Sequence, residues 1–105
     1  MTDLEHILSS LDDMKGVDIT PLDVSTLTSI TDHMVIVTGK NTRHTRSMML
    51  ALIDLYPSLT CGKPVIEGDD YNEWILVNFG DVIVHIMLAH VRDYYAIEKL
   101  WSKDL

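Results

Sequence analysis

The sequence predicts a single α/β (α+β) domain over residues 1–105, with a mixed sheet of about five strands flanked by helices. Three observations predict it. The chain has 105 residues, one domain's worth, enough to bury roughly two-thirds of the surface its unfolded form exposes. Hydrophobic residues make up 47% and charged residues 23%, a balance that excludes intrinsic disorder and fibrous chains. Segments of helical and of strand periodicity follow one another as α-β-β-α-β-β-β-α, the pattern of helices layered on a sheet.

Each element has its local reason. Thr2-x-x-Glu5 is a capping box, and Leu4, Ile7, Leu8, Leu11 and Met14 follow at helical spacing, with Gly16 placed to end the helix. Val17 to Val24 reads as a strand in which Pro21 removes a backbone donor, so it belongs at a sheet edge or a bulge. His33 to Thr38 carries the short buried run Met34-Val35-Ile36-Val37. Gly39-Lys40-Asn41-Thr42 is turn and cap chemistry. It opens a helix with Thr45, Met48, Met49, Leu52, Ile53 and Tyr56 on one face, stopped by Pro57.

A polar loop holding Cys61-Gly62-Lys63-Pro64 precedes a short strand at Val65-Ile66. Beyond the acidic Glu67-Gly68-Asp69-Asp70, the runs Trp74 to Phe79 and Val82 to Leu88 flank Gly80-Asp81, a hairpin connection. Both runs are apolar at both parities, so both faces of those strands want cover, and a chain this small can leave one face partly open for a partner. Val91 to Trp101 reads as one helix, with Tyr94, Ile97 and Trp101 in a stripe and Val91, Tyr95 and Leu100 off it. That is more large apolar surface than one core-facing stripe needs, and Tyr and Trp dominate protein–protein hot spots.

Charge narrows the partners. Eight Lys and Arg against sixteen Asp and Glu give a net charge of -8. Such a domain repels bare nucleic acid and is attracted to basic protein surfaces or cations. Arg43, His44 and Arg46 gather positive charge at the start of the central helix, which leaves a minor RNA contact open. No run reaches the ~18 apolar residues of a membrane span, and the acidic, amphipathic start resembles neither a secretory signal nor a transit peptide, so a cytoplasmic location is expected. The single cysteine, Cys61, allows no intramolecular disulfide and no thiolate cluster.

Catalytic patterns are thin. Gly39-Lys40-Asn41-Thr42 only loosely echoes a phosphate-binding loop, and helix capping accounts for it. His6, His33, His44, His85 and His90 form no metal-binding pair at helical spacing. Glu67, Asp69, Asp70, Glu73 and Asp81 suit an acidic loop or docking patch better than the paired, same-face acids of metal-dependent transfer. Neither a catalytic site, a cofactor nor a metal is expected.

The residues together resemble a known family. Val35-Ile36-Val37-Thr38-Gly39 with Asn41 and Arg43, then Glu67-Gly68, Glu73-Trp74-Ile75-Leu76-Val77, Gly80-Asp81-Val82-Ile83-Val84-His85 and Tyr94-Tyr95-x-Ile97-Glu98-Lys99-Leu100-Trp101, are similar in order and content to the ribosomal silencing factors (RsfS, Iojap-like). The resemblance implies an interaction protein and not an enzyme. Such proteins bind the large ribosomal subunit through ribosomal protein fourteen (L14). They block joining of the small subunit and repress translation when nutrients are scarce.

The resemblance also implies a nucleotidyltransferase-like fold without the catalytic signature, and members that are often homodimers. Trp74 matches the family tryptophan implicated in ribosome docking. Leu76, Asp81, Tyr94, Tyr95, Glu98, Leu100 and Trp101 match further motif positions and complete the expected partner-binding set. Met87-Leu88-Ala89-His90 departs from the family's aromatic and acidic residues at that point, and Thr20-Pro21 interrupts a strand that is usually continuous. Two alternatives stay open: a small nucleotidyltransferase-like enzyme using a nucleotide and Mg²⁺ near Gly39 and the acidic loop, and a plain dimerisation module.

Overall fold

The computed structural model describes residues 1–101, so the last four residues of the expected 1–105 span lie outside it. Helix α1 (Asp3–Asp13) starts with the expected capping box: the Thr2 hydroxyl accepts from the Glu5 backbone, and the Glu5 carboxylate accepts from the Thr2 N–H at 2.9 Å. Its end departs from expectation. Lys15, not Gly16, takes the left-handed conformation, at φ 65°. Gly16 is needed one step later, because a Cβ there would stand 2.6 Å from Val37 Cγ2. Glycine at this position therefore serves close packing of helix on sheet.

Five strands follow expectation closely: β1 (Val17–Asp23), β2 (His33–Gly39), β3 (Val65–Glu67), β4 (Trp74–Asn78) and β5 (Val82–Leu88). They form one sheet in the order β1-β2-β5-β4-β3. The β2–β5 pair is parallel, from His33 opposite Val82 to Gly39 opposite Leu88, and every other pair is antiparallel. The sheet is therefore mixed. Pro21 lies on edge strand β1, and the register slips between Val17 and Thr20, so this strand carries both the edge position and the irregularity that proline suggested.

Helix α2 (Thr42–Leu55) is capped by Asn41, whose Oδ1 accepts from the His44 N–H at 2.8 Å. One sheet face is closed by α1 and α2: Ile7, Leu11, Met48, Met49 and Leu52 pack on Val35, Val37, Ile75, Val77, Val84 and Ile86. The other face carries a smaller cluster of Val24, Met34, Ile36, Met87 and Ile97, with Leu22, Trp74, Val91 and Trp101 packed against it. Central strand β5 is buried along nearly its whole length, whereas β4 alternates, with Ile75 and Val77 buried and Trp74, Leu76 and Asn78 only half-buried. The need for cover on both faces is thus met over β5 and only partly over β4.

The C-terminal segment corrects the expected single helix. Helix α3 (Ala89–Tyr95) stops at Ala96, which is left-handed at φ 45° and ψ 44°, and Ile97–Lys99 forms a separate 3-10 turn. The cause is Arg92, 8% exposed. Its Nε and Nη2 donate to the two Glu98 carboxylate oxygens, both at 2.9 Å. Nη1 donates to the Asp18 carbonyl at 2.8 Å and to Thr38 Oγ1 at 3.0 Å, and Nη2 also donates to Thr20 Oγ1 at 2.9 Å. All five guanidinium N–H donors are used.

In an unbroken helix, residue 98 would lie about 240° round the axis from residue 92 and could not meet it. The turn at Ala96 brings Glu98 back and breaks the Tyr94–Ile97–Trp101 stripe: Ile97 is buried while Tyr94 is 81% exposed. Asp18 at the β1 irregularity is itself left-handed, at φ 50°, and its carbonyl serves Arg92. The clamp ties the C-terminal segment to β1 and β2.

Candidate functional site

The open part of the second sheet face holds an aromatic cluster built on β4 and β5. Trp74 stands opposite Met87, and Leu76 stands opposite His85. Trp74 and His85 are therefore diagonal neighbours on one face, within reach of long side chains. Trp74 Nε1 donates to His85 Nδ1 at 2.9 Å, with ring centroids 5.9 Å apart and planes tilted by 49°. On its other side Trp74 meets Tyr95 at 4.9 Å between centroids, and Tyr95 meets Tyr94 edge-on at 5.0 Å. The Tyr94–Tyr95 contact is the edge-to-face arrangement that aromatic quadrupoles favour, and both Trp74 contacts are tilted away from a face-to-face sandwich.

Exposure rises along the cluster, from His85 at 8% to Tyr95 at 54% and Tyr94 at 81%. The backbone beneath is tightly fitted: Gly68, at φ 82°, passes so close to β4 that a Cβ would stand 2.0 Å from the Trp74 carbonyl oxygen.

Burial pushes the His85 imidazole down to a pKa of about 4, so at neutral pH it is uncharged, with the Nδ1 lone pair available to the indole. The linkage has a definite sign. The folded state disfavours the imidazolium, so between the ordinary value of 6.5 and about 4 the unfolded chain binds more protons. Stability from this group is complete above about pH 7 and is lost as pH falls towards 4, by ~3 kcal/mol in total. Urea titrations at pH 7, 5.5 and 4.5 are expected to show this decline, and a His85→Asn variant is expected to show a shallower one.

The expected partner-binding residues separate into groups. Trp74, Leu76, Tyr94 and Tyr95 lie in or beside the cluster. Trp101 packs with Trp74 against the small core of that face, and Leu100, 72% exposed, follows the 3-10 turn. Glu98 has both carboxylate oxygens on Arg92, which holds its carboxyl below the usual range. Asp81 lies elsewhere, just before Val82 at the start of β5. Trp74 pairs with Met87 five residues further along that strand, about 17 Å away at strand rise. The Asp81 carbonyl accepts from the Asp32 and His33 N–H groups, and its side chain is exposed.

At the start of α2, Arg43 and Arg46 are exposed. His44 is engaged: its Nδ1 accepts from the Lys40 N–H at 3.0 Å, and its Nε2 donates to the Met14 carbonyl at 2.8 Å. It fastens α2 to the end of α1. Acidic residues flank the aromatic face, with Glu67, Asp69, Asp70 and Glu73 all exposed in and beside the β3–β4 loop. Sequence reasoning missed two residues. His85 stands in the Gly80-to-His85 motif but reads there as one scattered histidine among five. Arg92 pairs at a spacing of six, which no helix rule flags.

What fold and site define is a small α+β domain that presents an aromatic surface within acidic surroundings. Residues 2–105 match the family model described as ribosomal silencing factor during starvation, and the chain belongs to that family. It is 40% identical to the ribosomal silencing factor RsfS of Chromobacterium violaceum over 95 residues, 90% of this chain and 78% of that one. To RsfS of Haemophilus influenzae it is 38% identical over 99 residues, 94% of this chain and 97% of that one. A crystal structure of a Chromobacterium violaceum protein superposes with a TM-score of 0.88 at 39% identity, covering 96% of this chain and 87% of that one. No helix among the described residues is long and apolar enough to cross a membrane.

Proposed function

We propose that the protein is a non-enzymatic, cytoplasmic translation repressor that docks on the large ribosomal subunit through ribosomal protein fourteen and sterically blocks the small subunit. The observation that carries this reading is the aromatic cluster in which half-buried Trp74 is overlain by exposed Tyr95 and Tyr94 in a chain of a ribosomal silencing factor family. Aromatic side chains held by their neighbours lose little freedom on binding and serve as interface anchors. A net charge of -8 steers such a domain to a basic ribosomal protein and raises the encounter rate. Arg43 and Arg46 supply the remaining route to a minor rRNA contact.

Obstruction of this kind needs position and affinity only, so no reacting group takes part. Homodimerisation through the same face would compete with docking. The test is cosedimentation of purified protein with isolated large subunits at physiological salt. Comigration is expected, and its failure overturns the reading.

A further inference from the structure

His85 lies outside the expected partner-binding set, yet it is the buried end of the aromatic cluster. The indole has a single polar atom, the Nε1–H, and it is a donor only. His85 Nδ1, 2.9 Å away, takes that donor into the site. The rest of the indole can then lie against Tyr95 and present apolar surface. A half-buried tryptophan without such a partner would have to turn its N–H to water and leave the ring contacts, or stay with the donor unmet.

The geometry points to His85 as a positioning residue that locks the Trp74 side chain in its docking orientation before the partner arrives. This rests on the docking role proposed for Trp74. Several features of the fold favour a fixed role for the imidazole. His85 sits mid-strand on β5, between Val84 and Ile86, both fully buried, so it has little freedom to turn away. The Nδ1 atom is an acceptor only in the neutral Nε2–H tautomer; burial keeps the ring neutral, and the indole donor at 2.9 Å selects that tautomer. Locking a side chain in advance removes an ordering cost that binding would otherwise meet.

The test uses two substitutions of His85 with two readouts. His85→Leu removes the acceptor at similar volume, and His85→Asn keeps an oxygen acceptor near the position of Nδ1. In His85→Leu the Trp74 indole N–H resonance, assigned by its loss in Trp74→Phe, is expected to move and to exchange faster with solvent. Affinity for isolated large subunits is expected to fall about three- to tenfold, with most of it restored in His85→Asn. Should His85→Leu not fold, the wild-type protein decides: its Trp74 indole N–H, held by His85 Nδ1 at 2.9 Å, is expected to exchange slowly with solvent and to shift as the imidazole is protonated, and fast, pH-independent exchange overturns the role.

An unchanged resonance overturns the assignment. So does wild-type affinity in His85→Leu while Trp74→Ala binds poorly; in that case the docking surface stands and the positioning role falls. If Trp74→Ala binds as well as wild type, the docking reading itself fails, and the role of His85 with it.

Discussion

Replacing Trp74 with alanine is expected to weaken binding to the large subunit by ~2 kcal/mol or more, a factor of about thirty, if the indole is an interface anchor. The chain of causes runs from strand pairing outward. Alternation in β4 puts Trp74 and Leu76 on the face that α1 and α2 do not cover, and β5 places His85 diagonally beneath the indole. Tyr95 closes on it from α3. Truncation removes the largest side chain of the patch and leaves Tyr95 without its inner ring contact, so its effect exceeds that of losing any exposed rim residue. Cosedimentation at equal protein concentration reads the loss. A melting curve on the same sample shows whether the variant is still folded, because Trp74 also packs on the small core of its face.

The second large effect concerns stability. Glu98→Ala is expected to cost about 2–3 kcal/mol and Glu98→Gln somewhat less, because they leave the Arg92 guanidinium without its counter-charge while its bonds to Thr20, Thr38 and the Asp18 carbonyl remain. Arg92 is 8% exposed, and the Glu98 side chain is 31% exposed, so the uncompensated charge in these variants is the more deeply buried partner. For a domain of this size, total stability is about 5–15 kcal/mol, and such a loss is a large share of it.

Removing both charges together, as Arg92→Met with Glu98→Leu, is expected to be much milder, since apolar replacement of a buried pair is often close to neutral. Urea midpoints of the single and double variants decide the matter. If the double variant is as unstable as Glu98→Ala, the clamp's hydrogen bonds to Thr20, Thr38 and the Asp18 carbonyl matter more than the charge pair.

Much of the fold was legible because its determinants are local. Thr2 and Glu5 spell a capping box, Asn41 caps α2 at the expected place, and Pro21 marks an edge strand with an irregular register. The bounds of β5 agree to the residue. What local pattern could not supply was the break at Ala96. The apolar stripe from Tyr94 through Ile97 to Trp101 has good helical spacing, but a contact across 74 residues, from Arg92 to the Asp18 carbonyl, together with the Glu98 pair, overrides it.

The same limit applies at the candidate site. Trp74, Tyr94 and Tyr95 were legible as an apolar surplus. That His85 sits under the indole depends on the β4–β5 register, and that His44 joins α1 to α2 depends on a contact across 30 residues. Asp81 shows the converse: it belongs to the same string of motifs, yet the strand length of β5 carries it to the opposite end of the sheet from the aromatic cluster.

Obstruction of the small subunit, as proposed above, is measured directly by subunit joining. Isolated large subunits are incubated with the protein, small subunits are added in joining buffer, and joined particles are read by light scattering or on a sucrose gradient. Joined ribosomes are expected to decline as protein is added, with the protein retained on free large subunits, and Trp74→Ala is expected to leave joining intact. Full joining with the wild-type protein still bound to the large subunit would rule out obstruction, because a domain seated on the joining face could not permit that outcome.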